Sequence, residues 1–479
     1  MSIRNVQQNT LFSKHIQPKS NYYAPSFNAW TRNPSWTQLP SVTSAEQKFV
    51  GLHAVFPDSN FVALTVAGAY TVDWGDGTAP QNYTTGSTAY YQYDYNSSGL
   101  DNTNGPVTFT ASTSTVNRTS HGYSNNSTIS FDTITTTTGI NTGQIYYVVN
   151  ATNNTFQVSD TIGGSFLTLT NDGSGNILPY KQAIITVTPQ SGQNITSLNL
   201  FVKHNQTNLR TYASGWLDIT LSGPNLTASG LTISGSSTTT IFHNYLERCS
   251  LLNIGNLTSM SSMFNNCTAL QSVSFSNTAA VTNMSSMFNA CYSLQTVPLF
   301  NTAAVTNMTS MFSSCYSLQT VPLFNTAAVT NMTSMFASCY SLQSVPLFNT
   351  SRVINMLSMF NGCRELLTVP AFNTSNTSNL LTMFTSCISL QSVPTLFANS
   401  AINGVANTFS ALGQLTNIGI ANVRTSMNIS YCKLSSNAIN TIFTNLGTIT
   451  SQTITTTGNW GAANSNTTIA TNKGWTVTG

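Results

Sequence analysis

The chain has 479 residues, of which only 6% are charged (15 Lys+Arg, 12 Asp+Glu), against about 25% in an ordinary soluble protein. Hydrophobic residues make up 40% and aromatics 10%, enough to build cores, which excludes a wholly disordered chain. The net charge of +3 comes without a basic cluster, so nucleic acid is not an expected partner, and no 18-residue apolar run exists to span a membrane.

Residues 1–45 are polar, carry Pro18, Pro25, Pro34 and Pro40 among Tyr22, Tyr23, Phe27, Trp30 and Trp36, and show no period. Such a segment is expected to be an anchoring arm that orders on a partner. Its first residues lack a hydrophobic signal region, so the expectation is synthesis in a cytoplasm without the usual secretory route.

From Phe61 the chain alternates as a strand and reaches Trp74-Gly-Asp-Gly77, a turn in which Asp73 and Asp76 serve turn chemistry rather than acid–base catalysis. This resembles the Trp-Gly-Asp-Gly hairpin of polycystic-kidney-disease (PKD) domains, which implies an immunoglobulin-like β-sandwich. Its last strand is expected only at Tyr180–Pro189, so the sandwich is placed at 46–104 plus 178–205, and 105–177 is read as an inserted β-module. Val107-Thr-Phe-Thr, Ser127–Phe131, Gln144–Val149, Thr155–Ser159 and Phe166–Thr170 are its expected strands, and Asn171–Asn176 a turn. The series His121, Tyr146, Phe156, Gly163 is similar to a β-module of tail-fibre and virion proteins of tailed phages. Residues 206–245 are expected to be a linker and N-terminal cap, with strands of the 190–245 bridge near Leu198–Lys203 and Trp216–Leu221.

The remainder is dominated by self-similarity. Met-Phe pairs at 263, 287, 311, 335, 359 and 383 recur at a step of 24, each followed three residues after its Phe by a cysteine: Cys267, Cys291, Cys315, Cys339, Cys363 and Cys387. One such unit cannot bury its own apolar side, but a stack can. Met308, Met311, Phe312, Cys315, Leu318 and Val321 are the expected inward residues of one unit. Met-Thr-Ser-Met-Phe reads as a short helical turn and Ser-Leu-Gln-Thr-Val-Pro as a strand, which predicts a parallel sheet about 35–45 Å long. The cysteines are expected to form one buried, unbridged row, because parallel Cβ vectors make poor disulfide geometry. Without a Cys-x-x-Cys pair or a nearby histidine, no metal is expected.

The pattern Met-Phe-x-x-Cys-x-x-Leu-x-x-Val-Pro resembles the bacterial-surface, BspA-like (DUF285) class of leucine-rich repeat, which implies a solenoid over 246–435 with a closing cap at 436–479. Asn325 falls one place early for the common consensus Leu-x-x-Leu-x-Leu-x-x-Asn, which leaves that consensus's inner asparagine ladder open. The expected fold class is mainly β: a sandwich with an inserted β-module, then a solenoid of 24-residue coils and a cap.

Catalysis is not expected. Residues 249–479 contain one acidic residue, Glu365, and no histidine, so neither a carboxylate pair nor a nucleophile with its base can be assembled there. No cofactor is expected. Tyr292, Tyr316 and Tyr340 follow successive cysteines, and Gln271, Gln295, Gln319, Gln343 and Gln391 also keep repeat phase. Stacked aromatics with amide donors suit an uncharged sugar, though the same rows would also arise if the tyrosines only packed on each other. The whole arrangement most resembles virion proteins of marine cyanobacterial phages. That resemblance implies a fibre or spike component outside the particle that attaches to a host receptor or glycan. It also implies that the arm joins other virion proteins and that the chain is a homo-oligomer, a trimer if a fibre. The alternatives are a capsid, neck or baseplate decoration protein and a bacterial adhesin.

Overall fold

The computed structural model describes residues 32–479 except 33–35, 56–59, 95–96, 98, 103–104, 120, 122, 124, 126–127, 143, 162, 178–179, 203–214, 235–244, 398–404 and 406. The first 31 residues of the expected arm lie outside the described residues. Described residues of its second part do not stand apart from the sandwich. Trp36 is buried and its Nε1 donates to the Tyr180 hydroxyl (2.8 Å), while the Thr37 amide donates to Gln182 Oε1 (2.8 Å).

Two sheets face each other in the sandwich. The larger contains β1 (Lys48–Val55), β3 (Tyr70–Asp73), β4 (Gln81–Tyr83), β6 (Asp101–Asn102), β13 (Lys181–Pro189) and β15 (Trp216–Ser222). The smaller contains β2 (Phe61–Ala67), β5 (Thr88–Gln92), β14 (Ser197–Asn199) and β16 (Leu231–Thr232). β15 matches the strand expected near Trp216–Leu221, but with β16 it belongs to the sandwich and not to a linker. The reason is visible in β15, Trp-Leu-Asp-Ile-Thr-Leu-Ser, which is buried at nearly every position and pairs antiparallel with β1 on one side. On its other side β15 pairs parallel with β17 (Arg248–Asn253), which pairs with β18 (Ser272–Phe275), the first coils of the solenoid. One sheet therefore runs from sandwich into solenoid, and one apolar core extends from Phe49 to Trp475.

The Trp74-Gly-Asp-Gly turn is held from all sides. Gly75 has φ 74°, and a Cβ there would lie 2.3 Å from Ile184 O, so only glycine fits. Asp73 Oδ1 accepts from the Gly75 amide (2.9 Å); Asp76 accepts from the Thr78 amide and hydroxyl and, at 2.5 Å, from the Tyr91 hydroxyl. Burial pushes the Asp76 carboxyl up, but the bonds from Tyr91 and Thr78 outweigh it and hold the pKa below its ordinary 3.8. A depressed carboxylate stabilises the fold above its unfolded pKa and loses that contribution as pH falls through the folded value. Asp76→Asn should therefore lower the melting temperature at pH 7, and the difference from wild type should shrink as pH falls below 3.8.

The insert closes on itself as six strands in the order β10-β11-β8-β7-β12-β9, around its own core of Phe109, Phe131, Tyr146 and Phe156. These strands are β7 (Gly105–Thr110), β8 (Thr115–Asn117), β9 (Thr128–Thr135), β10 (Ile145–Val149), β11 (Thr155–Ser159) and β12 (Gly173–Ile177). Two expectations are corrected here. Phe166–Thr170 is not a strand, and the stretch Asn171–Asn176, read as a turn, supplies most of β12. Its glycines are there for close approach: a Cβ at Gly173 or Gly175 would come within 2.1 or 2.3 Å of carbonyl oxygens of β9.

In the solenoid the expected inward set Met308, Met311, Phe312, Cys315, Leu318 and Val321 is buried. Stacked phenylalanine rings, Phe264, Phe288, Phe312, Phe336, Phe360 and Phe384, form its spine at 5.4–5.9 Å between centroids. Met-Thr-Ser-Met-Phe is not a helical turn. Ser310 (φ 52°) and Ser314 (φ 60°) are left-handed, so the segment is two successive turns closed by Met311 N→Met308 O (3.2 Å) and Ser313 N→Ser310 O (3.1 Å). Turns of this kind present i, i+3 and i+4 inward as a helix would.

The expected unbroken parallel sheet is also corrected. Strands are present at β17, β18, β19 (Ser392–Phe397) and β20 (Asn417–Ala421), but not at the corresponding places of the coils between β18 and β19. Those coils carry Pro298, Pro322, Pro346 and Pro370 where the β18 coil has Ser274; β19 holds Pro394 in the same place, and its pairing with β20 shifts register there, between Val393 and Leu396. Proline has no N–H to give to a ladder. In three of the coils the chain instead makes a tight three-residue turn, with Phe324, Phe348 and Phe372 amides donating 2.9 Å to the carbonyls of Pro322, Pro346 and Pro370. Isolated parallel bridges Asn283↔Asn307↔Asn331↔Asn355↔Asn379 join coils at another corner. The inner polar ladder is threonine, not asparagine: buried Thr278, Thr302, Thr326 and Thr350 each donate to the carbonyl of Asn301, Asn325, Asn349 and Asn373 one coil on.

The solenoid closes with helix α1 (Ser436–Asn445), capped by Ser435 Oγ accepting from the Ala438 amide, and a parallel trio β21 (Met427–Asn428), β22 (Gln452–Thr455) and β23 (Trp475–Thr478).

Candidate ligand-binding surface

Cys267, Cys291, Cys315, Cys339, Cys363 and Cys387 are free and fully buried. From Cys291 onward each of these Sγ atoms donates to the carbonyl of the preceding coil's Phe: Cys291 to Phe264, Cys315 to Phe288, and so on to Cys387 and Phe360, at 3.0–3.2 Å. Burial pushes these thiols up, Cys387 to about 12, so they stay protonated and unreactive as donors inside the wall. Their place is structural.

The tyrosines are brought together. Tyr292 and Tyr316 stack at 4.5 Å with 5° between planes, Tyr316 and Tyr340 at 4.7 Å with 2°. The Arg364 guanidinium, standing at the next rung, lies 4.7 Å over the Tyr340 ring and ends the stack. Faces are thus taken up by neighbours, and what the half-buried rings present outward is edges and hydroxyls. Burial raises the Tyr316 hydroxyl to about 12, with the flanking tyrosines adding to it, so it is a neutral donor at physiological pH.

The glutamines are aligned through their backbones, not as a bonded amide row. The Gln319 amide donates to Gln295 O (3.1 Å) and the Gln343 amide to Gln319 O (3.4 Å). Gln319 Nε2 is buried without a hydrogen-bond partner among the described residues.

Three features of the surface were not singled out from sequence. Leu299, Leu323 and Leu347 are 60–67% exposed at coil spacing, each directly after a proline, and Leu323 and Leu347 are at the centre of three-residue turns. Their signal was present as Val-Pro-Leu-Phe, but the period does not say which apolar residue faces out. Tyr431 and Trp460 on the closing coils are 62% and 73% exposed, and Lys433 Nζ lies 5.7 Å from the Trp460 ring centroid. They occur once each, so no repeat argument could find them.

The carboxylates and the histidine that sequence singled out are engaged in the fold. Asp73 and Asp76 are consumed by their turn. His121 lies between Tyr123 and Phe156 in the insert's core, where burial lowers its pKa. No group of three metal-ligating side chains occurs among the described residues, and no helix among them is long and apolar enough to cross a membrane.

Residues 237–346, 317–423 and 340–445 match the family described as "Mycoplasma protein of unknown function, DUF285". Among solved structures, a leucine-rich repeat protein of T. pallidum is similar at 22% identity, over 40% of this chain and 87% of that one, with a TM-score of 0.26. A leucine-rich repeat protein from Bacteroides ovatus is similar at 13% identity, over 56% of this chain and 91% of that one, with a TM-score of 0.22. No curated protein matches the chain.

Proposed function

We propose that this protein is a non-enzymatic, adhesin-like attachment protein whose repeat region displays a ligand-binding wall. The observation that carries the reading is the stack Tyr292–Tyr316–Tyr340 closed by Arg364, set in a wall with no charged residue from Cys249 to Ser351. Away from the Arg364 end, a ligand meeting this wall desolvates no charge of the 249–351 stretch, and it finds hydroxyl edges at a fixed pitch. A glycan on a host surface is the ligand class that suits it. Within this reading the chain is a component of a phage particle. In it the arm, residues 1–45, joins other virion proteins, the Trp74 turn belongs to a PKD-like sandwich, and the solenoid meets the host.

Replacing Tyr292, Tyr316 and Tyr340 together with serine should reduce adsorption to host cells several-fold and leave the folded state intact by circular dichroism. Unchanged adsorption would overturn the wall as the binding face. Absence of the chain from purified particles by mass spectrometry would overturn the virion assignment.

The exposed row Leu299, Leu323, Leu347 favours a second reading, contact with a neighbouring protein of the particle. Changing the three leucines to serine separates the two: in the second reading incorporation into particles fails, and in the first only adsorption to cells is sensitive to the tyrosines.

A further inference from the structure

Each repeat puts the residue just before its inward cysteine, or the leucine in that place, in the left-handed region. Asn266, Ala290, Ser314, Ser338, Gly362, Ser386 and Ala411 have φ between 59° and 80°. A side chain larger than these is disfavoured there, because its Cβ and branches crowd the following carbonyl. The next such position, before Cys432, is Tyr431, at φ 56°. Tyr431 does not fill the core, since it is 62% exposed. Its ring lies against Gly458 (φ 76°), where a Cβ would come within 2.5 Å of Tyr431 Cδ1. A bulky aromatic held outward in a strained backbone, over a glycine that makes room for it, points to a use outside the fold.

The turn beside it is braced. Tyr431 N donates to Thr457 O (2.8 Å) and Gly461 N to Leu434 O (2.9 Å). Buried Asn459 ties the two segments, its Nδ2 donating to Ile429 O and Thr456 O (2.8 Å each) and its Oδ1 accepting from Leu434 N (3.2 Å). On this turn stands Trp460, 73% exposed, with Lys433 Nζ 5.7 Å from its ring centroid and 2.7 Å from Gln414 Oε1. From Leu366 to Gly479 the chain has no Asp or Glu, so no nearby stretch of sequence supplies a carboxylate for Lys433.

The geometry points to a saccharide site on the closing coils, specific for an acidic sugar: Trp460 and Tyr431 are the platforms for pyranose rings, and Lys433 receives the carboxylate of a uronate. This rests on the attachment reading above and names a second ligand-binding face for it. Aromatic faces match the C–H side of a pyranose, and rigid two-torsion side chains lose little freedom on binding. The ammonium supplies a charge-assisted bond to the sugar carboxylate, and the Gln414 amide offers a donor and an acceptor for a hydroxyl.

The test is calorimetric titration of the full-length protein with a hexameric polyuronate and, separately, with cellohexaose, each at low salt and at 0.5 M NaCl. The polyuronate should bind, more weakly at high salt, and better than cellohexaose. Trp460→Ala should weaken it at least tenfold, and Lys433→Gln should erase the preference over cellohexaose. Tyr431→Gly should weaken binding several-fold while the melting temperature holds or rises, since glycine relieves the left-handed backbone. A merely structural tyrosine would not separate the two readouts. Failure of wild type to bind either hexamer, equal binding of both, or full binding by Trp460→Ala would overturn the site. Polyuronate binding by a protein that adsorbs to no cell would support this site and overturn the attachment reading.

Discussion

Phe312→Ala should destabilise the solenoid by about 3–5 kcal/mol, the cost of a large-to-small change at a buried aromatic. Phe312 is fully buried, stacks on Phe288 at 5.4 Å and Phe336 at 5.6 Å, and lies 6.3 Å from Phe324. Its amide donates to Met335 O and its carbonyl accepts the Cys339 thiol, so the backbone is tied to the following coil while the ring stacks on both neighbours. In a stack that holds together through nearest-neighbour contacts, the damage spreads along the axis. Denaturant melts should show the loss. Hydrogen exchange should place it in the coils around 288–336, with the insert's separate core unaffected. Uniform loss of protection from the sandwich to the cap would instead mean that the array melts as one unit.

Asp218→Ala should cost a similar amount, about 3–5 kcal/mol, because it leaves two guanidinium groups facing a low-dielectric junction without their counter-charge. Asp218 is fully buried on β15, with Arg32 Nε at 2.9 Å and Arg248 Nη1 at 3.0 Å. Arg32 also donates to the carbonyls of Trp36 and Thr37, and Arg248 sits directly across from Asp218 on β17. One carboxylate thus joins the chain's leading segment, the sandwich and the first coil. The arginines keep partial contact with water, 20% and 32% exposed, which favours the lower half of the range. A double-mutant cycle with Arg248→Ala should return a coupling of more than about 1 kcal/mol if the pair acts together. Additive effects would show that packing, not charge, is what Asp218 supplies.

The repeat phase made much of this structure readable. A step of 24 identifies Phe312 and its equivalents as inward without any knowledge of backbone conformation, because only one face of a stack can be buried. It does not say how the chain gets from one inward residue to the next. Met308, Met311 and Phe312 suit a helix and a pair of turns equally, and the serines at 310 and 314 give no sign of being left-handed. The prolines at 298, 322, 346, 370 and 394 announce an irregular ladder: the first four fall in coils without a strand, and the last falls inside β19 where its register shifts. β15 was legible as a strand near Trp216–Leu221, but its place was not: it belongs to two architectures at once, and reading domains as separate blocks leaves such a strand to the linker. The insert's β12 was hidden because Gly, Ser and Asn are the residues of turns. They also serve a strand squeezed between two others, and only the neighbours decide which. As for the surface, Tyr292, Tyr316 and Tyr340 could be placed in one row from spacing alone. Their mutual stacking follows from the same pitch, and it removes the open ring faces that a sugar would have used.

Near-identical coils give this molecule a heritable length. The unit Thr306–Val329 differs from Thr282–Val305 at three positions and from Thr330–Val353 at four. The threonine and cysteine bonds between these coils join the same two repeat positions in each successive pair of units, and the asparagine bridges join counterparts 24 residues apart. Misaligned recombination between such copies, adding or removing 24 codons, would leave every row in phase and shift the closing coils along the axis by about 5 Å. The absence of charge from Cys249 to Ser351 helps, since no ion pair is stranded by the change. Reach could then vary between lineages in whole steps, while the faces at either end, held by single-copy residues such as Asp218 and Asn459, stay as they are.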